Sequence, residues 1–240
     1  MVRSLTETGR PRLIWRDAPP FVPTMRPAAD AARERGLEPS RAAALVAVRR
    51  TAWNAMWAHA RSSPVEVGGV LLGAVTRDPV TGRHTIDVTD FVAARGALES
   101  STYFKLTPAA WEHIAQARAR LQPDLPIVGW CHTHPDLGVF FSATDRATQR
   151  AFFAEPWNVG LVIDPVRNEL AVFLGGDATR LPIEAIQVYD AFPSVETPKA
   201  WSSPASIVAS SRPGPAPRRA LAAALALLLA VFWLLRRRRG

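Results

Sequence analysis

From Val65 to Val75 the chain is a nearly continuous apolar run, broken by Glu66 and glycines, the pattern of a strand buried on both faces. Asp78-Pro79-Val80-Thr81-Gly82 supplies turn chemistry, and Thr85–Val92 is the strand returning from it. Upstream, Leu45, Val48, Ala52, Met56 and His59 recur at helical spacing behind Ser40, an N-cap residue type. That spacing predicts an amphipathic helix over roughly 41–61, ended by Pro64. Downstream, Thr107-Pro108 opens a second helix that places Trp111, Ile114, Ala117 and Leu121 on one face. Tyr103–Leu106 reads as a short strand and Pro126–His134 as a longer one, broken by Pro135. A third helix is expected from about Ser142 to Ala154, then strands at Val159–Ile163, Glu169–Leu174 and Ile183–Tyr189. Helices and strands alternating in this way predict an α/β domain around one mixed sheet.

The flanks have a different texture. The 21 prolines crowd into 11–39 and 193–217. The chain therefore divides into an irregular segment 1–39, a domain 40–190, a Pro-rich linker 191–218 and a C-terminal apolar segment 219–236. Within the first, Leu13-Ile14-Trp15 could add an edge strand and Ala28–Arg35 a short helix. Within the last, Ala220–Leu235 is an apolar stretch between Arg218-Arg219 and Arg236–Arg239. As a helix it would extend roughly 24 Å, and its flanking arginines could snorkel, so a single-pass membrane anchor is expected. The N-terminus lacks the apolar core of a signal peptide, so a cytoplasmic domain is expected.

Charge follows the same division. The formal net charge is +8, but seven of the 29 basic residues lie after Ser211, where there is no acid. The remainder carries 22 basic against 21 acidic residues, so the domain has no basic excess and no nucleic-acid partner is expected. Cys131 is the one cysteine, which excludes an intrachain disulfide and a Cys-x-x-Cys zinc ribbon.

Candidate chemistry sits at the end of the 126–134 strand. His132 and His134 are two residues apart, so a strand points both to one face. Asp145 follows at the mouth of the next helix. Two imidazoles and one carboxylate leave a fourth position open, the arrangement of a catalytic zinc centre rather than a closed structural one. Ser142-Ala143-Thr144-Asp145 is also a capping-box pattern, and both readings of Asp145 can hold together. Ser142 would then sit beside the metal, able to donate to a developing oxyanion. A water at the open position needs a proton acceptor. Glu66 is the candidate if it is buried; otherwise it simply faces solvent at the strand's start. Cys131 has the opposite parity to the histidines and reads as a small buried hydrophobe. Trp130 shares their parity and either walls the site or packs in the core. Tyr103 and Phe104 are placed in the core rather than along a groove. His59, His84 and His113 fall outside the constellation.

Taken together, Glu66-Val67-Gly68-Gly69-Val70-Leu71-Leu72-Gly73, Gly129-Trp130-Cys131-His132-Thr133-His134-Pro135 and Ser142-x-x-Asp145 resemble the JAMM (MPN-type) zinc metalloproteases. Val162-Ile163-Asp164-Pro165 resembles the strand that follows in that family. The likeness covers roughly 41–190. It implies a mixed sheet flanked by helices, similar to the cytidine deaminase architecture. It also implies zinc held by His132, His134 and Asp145, proton transfer by Glu66 and oxyanion stabilisation by Ser142. The substrate implied is the extended C-terminal tail of a ubiquitin-like or sulfur-carrier protein, or its conjugates. The short stretch 94–102 leaves no room for the large insertions of chain-specific deubiquitinases. Two other classes fit the same residues less well. A non-catalytic MPN-type scaffold in a membrane-associated assembly is opposed by the complete set of site residues. A hydrolase of phosphodiesters or nucleobases is opposed by the near-neutral domain and the missing Cys-x-x-Cys.

Overall fold

The computed structural model describes residues 21–121 and 124–190. They run through β1 (Thr24–Met25), α1 (Ala28–Arg33), β2 (Ala44–Arg49), α2 (Arg50–Ala60), β3 (Gly68–Arg77) and β4 (His84–Ala93). Next come β5 (Leu98–Glu99), β6 (Phe104–Lys105), α3 (Pro108–Leu121), β7 (Ile127–Thr133) and α4 (Ala143–Phe152). The last elements are β8 (Val159–Asp164), β9 (Glu169–Leu174), β10 (Thr179–Leu181), a 3-10 turn (Ile183–Ala185) and β11 (Ile186–Tyr189). Nine strands form one mixed sheet in the order β10-β9-β8-β7-β3-β4-β2-β11, with β1 beside the far end of β3. β5 and β6 form a separate two-stranded sheet.

The apolar run of β3 becomes the middle of the sheet because both its edges and both its faces are covered. Residues 68–72 pair with β7 and residues 69–77 with β4, while β1 takes over beside Thr76 and Arg77. On one face, Met56, Trp57 and Ala60 of α2 pack in a core with Val46, Val48, Leu71, Ile86 and Leu161. On the other, Trp111 and Ile114 of α3 and Phe153 at the end of α4 share a core with Val70, Leu72, Trp130 and Val162. Each fully buried Leu, Val or Phe side chain contributes about 1.5–3 kcal/mol by leaving water. At the edge opposite β10, Asp87 of β4 accepts from Arg35 at 2.6 Å and from the Tyr189 hydroxyl at 2.6 Å, which ties the chain after α1 and β11 to the sheet.

The single helix expected over 41–61 is two elements. Its first part is β2, parallel to both β4 and β11, and only residues from Arg50 onward are helical. Ala44 to Val48 are all buried, five in succession. An amphipathic helix hides one stripe, whereas an inner strand hides both faces. Helical spacing could be read there because every residue from Ala42 to Val48 is apolar. Ser40 caps no helix; its hydroxyl accepts from the Ala42 N–H in a local turn. Other boundaries shift less. β3 starts at Gly68, so Glu66 lies in the connection just before it. The segment expected as a strand at Ile183–Tyr189 opens with the 3-10 turn, and β1, β5 and β10 had no sequence signal. Leu13-Ile14-Trp15 and the segments 191–218 and 219–236 lie outside the described residues. Among the described residues no helix is long and apolar enough to cross a membrane.

Ala47 distinguishes strand from helix. In β2 it is completely buried beside Asp87, whereas in a helix led by Leu45 and Val48 it would face solvent. Ala47→Asp is expected to lower stability by about 3 kcal/mol or more, since the new charge is buried next to another carboxylate. Denaturant unfolding checks this, and a change within ~0.5 kcal/mol would restore the helix.

Candidate metal centre

β7 lies between β3 and β8, with His132 beside Gly68 on one side and Val162 on the other. The strand period separates its residues. Trp130 is buried on the face covered by α3 and α4, and Cys131 on the face covered by α2. Cys131 is therefore no part of the site, and burial pushes its thiol up to about 12. His134 lies just past the strand, its N–H donating to Ile163 O at 2.9 Å. Its Nε2 sits 3.2 Å from Nε2 of His132.

Asp145 reaches the two rings from the first turn of α4. The Ser142 N–H donates to Asp145 Oδ2 at 2.7 Å, and the Asp145 N–H donates to Ser142 Oγ at 3.2 Å, completing the capping box. The same carboxylate places Oδ1 3.2 Å from His132 Nε2 and Oδ2 3.5 Å from His134 Nε2. Burial opposes its ionisation, but hydrogen bonds from His132, His134 and Ser142 prevail and hold it well below the usual carboxylate range. Burial lowers His132 despite the nearby carboxylate. Burial also opposes charge on His134, yet Asp145 and Glu66 together raise it.

Glu66 is locked in place by its neighbours. Its N–H donates to Ser100 O at 2.8 Å. Val67 N–H donates to Thr133 Oγ1, and Thr133 N–H to Val67 O, each at 2.9 Å. The side chain is buried, with Oε1 3.8 Å from His134 Nε2, so the solvent-facing alternative is excluded. Burial pushes its carboxyl up to about 7; His134 pulls the other way and Asp145 reinforces the rise.

Ligand atoms of His132, His134 and Asp145 lie within 4.8 Å of one another and could hold a metal ion. Nitrogen and oxygen ligands on one tetrahedral zinc stand about 3.3–3.5 Å apart, given bonds of roughly 2.0–2.2 Å. The two imidazole Nε2 atoms, 3.2 Å apart, are close to that spacing, and each has an oxygen of the Asp145 carboxylate within 3.5 Å, Oδ1 beside His132 and Oδ2 beside His134. His59, His84 and His113 do not join the cluster. Phe104 is buried in the core as expected, whereas Tyr103 is exposed rather than packed there.

One further residue has a role at the site, and the sequence shows it only within the Val162-Ile163-Asp164-Pro165 likeness. Asp164 is fully buried at the end of β8. Its Oδ1 accepts from Asp136, Val166 and Arg167 N–H groups at 3.0–3.1 Å, and its Oδ2 from Gly138 at 2.8 Å. These bonds offset the cost of burying it and keep it ionised. They fold the loop after His134 so that Gly138 O accepts from His134 Nδ1 at 3.2 Å. A carbonyl can only accept, so Nδ1 carries the proton and Nε2 presents its lone pair to the site. The sequence signal was an acid closing an apolar strand just before a proline.

The sequence profile of the family described as prokaryotic homologs of the JAB domain matches residues 49–174. An uncharacterized protein of Caenorhabditis elegans is 34% identical over 115 residues, covering 47% of this chain and 34% of that protein. The NAD(+) hydrolase TcpA of a Theionarchaea archaeon is 36% identical over 102 residues, 42% of this chain and 28% of that one. Ubiquitin carboxyl-terminal hydrolase RPN11 of Saccharomyces cerevisiae is 31% identical over 122 residues, 47% of this chain and 36% of that one. The chain spans about a third of the length of these curated relatives.

Glu66 has a measurable cost. It ionises near 4.5 ordinarily and near 7 when folded, so folding opposes its charge, with a deficit that grows above about pH 4.5 and is complete above about pH 7. In metal-free protein, Glu66→Gln is therefore expected to raise stability by roughly 3 kcal/mol at pH 8 and very little near pH 4.5. Equal effects at both pH values in denaturant unfolding would contradict the buried, raised carboxyl.

Proposed function

The chain belongs to the prokaryotic homologs of the JAB domain, and on that premise we propose that it is a zinc metallopeptidase of the JAMM type. Its substrate on this reading is a peptide or isopeptide bond at the C-terminus of a ubiquitin-like or sulfur-carrier protein. One observation carries the reading: His132, His134 and Asp145 converge with ligand spacing while a protonatable carboxyl, Glu66, stands 3.8 Å from His134 without joining the three. The name ubiquitin carboxyl-terminal hydrolase, borne by the yeast relative, supports the substrate class.

His132, His134 and Asp145 would hold the ion. Bound zinc supplies Lewis acidity toward the scissile carbonyl and toward water. Glu66 takes a proton from the attacking water and passes it to the leaving amine; a carboxyl poised at about 7 can do both near neutral pH. Ser142 donates a hydrogen bond from its hydroxyl to the developing oxyanion, since the helix cap uses only its oxygen as an acceptor. Phe140, half exposed and packed 4.8 Å from the His134 ring, forms an apolar border for an extended tail. The compact β5–β6 connection favours a simple tail over a linkage-specific chain as substrate.

Purified full-length protein is expected to hold about one zinc per chain by elemental analysis. Glu66→Gln should keep that zinc and lose about 100-fold or more in turnover of a ubiquitin-like fusion. Zinc without hydrolysis of any such fusion would remove the substrate class. A folded chain without zinc would be a non-catalytic scaffold.

The proposed setting is a membrane. The apolar stretch Ala220–Leu235, bracketed by arginines, would act as a tether on the Pro-rich linker 191–218, with the domain in the cytoplasm. Full-length protein should then sediment with membranes and resist extraction by carbonate, while a chain lacking 219–236 stays in the supernatant. Identical partitioning of the two would refute the tether.

A further inference from the structure

The two imidazoles are held by different means. Metal-ligating histidines almost always donate the second ring N–H to an oxygen, which sets the plane of the ring. His134 does so through Gly138. Nδ1 of His132 is buried and has no hydrogen-bond partner among the described residues. A stack orients this ring instead. The Trp130 indole lies 4.4 Å from it and within 9° of parallel, and the Phe104 ring lies 6.4 Å away at 15°.

Stacking resists tilt but leaves two flat rings free to slide and turn in their own planes. One directed bond stops the indole: Trp130 Nε1 donates to Gln149 Oε1 at 2.6 Å. Gln149 is itself completely buried, and its amide has no freedom to flip. Nε2 donates to Phe153 O at 3.0 Å and Gly175 O at 3.1 Å, so the oxygen must face Trp130. Gly160 keeps the space open. A Cβ there would lie 2.9 Å from Gln149 Oε1 and 2.4 Å from the Phe141 ring. Gln149 also stands one helical turn after Asp145 on α4. A single rigid helix therefore carries one candidate ligand and the anchor of another.

We propose that Gln149 is a positioning residue for the metal ligand His132, acting through the Trp130 indole. The inference rests on the reading of His132, His134 and Asp145 as a zinc site. The spacing of carboxylate and imidazole is then set by α4 itself, without an oxygen partner on His132 Nδ1.

The test uses the full chain and three variants: Gln149→Met, which keeps length but cannot bond the indole; Trp130→Phe, which keeps a ring but has no N–H; and the double variant. Zinc affinity is measured by competition with a chromophoric chelator, and site geometry by the visible spectrum of the cobalt(II)-substituted protein. Circular dichroism reports the folded fraction. Each single change is expected to weaken zinc binding by about 10–100-fold and to alter the cobalt spectrum. The double variant should bind no more weakly than the weaker single one, because both cut the same bond. A purely structural role would lower the melting temperature and leave affinity and spectrum of the folded protein unchanged; that result overturns the proposal. So do losses that multiply in the double variant. If Gln149→Met does not fold, Trp130→Phe decides: wild-type affinity and spectrum overturn the proposal, and a weakened, altered site supports it. Wild-type protein that takes up no zinc removes the metal-site reading and the inference with it. Zinc uptake indifferent to these variants removes the inference alone.

Discussion

A helix start leaves backbone N–H groups without partners, and α4 answers that need with a carboxylate that the site also uses. Asp145 Oδ2 accepts from the Ser142 N–H while its Oδ1 faces His132. The cap, worth about 1 kcal/mol, also removes the side chain's rotational freedom. A carboxylate held this way reaches the imidazoles with its orientation already set. The first turn of a helix further favours its negative charge. Asp164 repeats the logic on the other side of the site. It gathers four backbone N–H groups and thereby fixes the carbonyl that orients His134. Both acids are buried, and in each case hydrogen bonding offsets the cost of burial.

Glu66 is the counterpart that is not compensated. Placed beside His134, whose pull does not outweigh burial, it keeps a carboxyl near 7. Local interactions thus separate three buried acids into two that stay ionised and one that can exchange a proton near neutrality. Such division of carboxylates by environment is the usual arrangement for acid–base chemistry, and it comes with a loss of stability at the site.

Much of this was legible in the sequence because it depends on short-range periodicity. The i, i+2 spacing of His132 and His134, the Ser-x-x-Asp cap and the parity of Cys131 are local rules, and the structure follows each one. The burial of Glu66 depends on Thr133 and Ser100, which are distant in sequence, so no local pattern decides it. The segment 41–49 was misread since apolar residues fill every position from Ala42 to Val48, so no period distinguishes a helix stripe from a strand covered on both faces. Gln149 gave no signal, because a glutamine on a helix is ordinarily exposed and only the pairing of Trp130 with α4 buries it. Asp164 was visible as a pattern, and its function as the loop's anchor required the backbone.

Zinc-edge X-ray absorption of the zinc-loaded full-length protein tests the central claim most directly. The account predicts two imidazole nitrogens and further oxygen at about 2.0–2.2 Å, with no sulfur scatterer. Sulfur near 2.3 Å would bring in Cys131 from the opposite face of the sheet and contradict the parity on which the site is built. A single imidazole would contradict the paired ligation by His132 and His134.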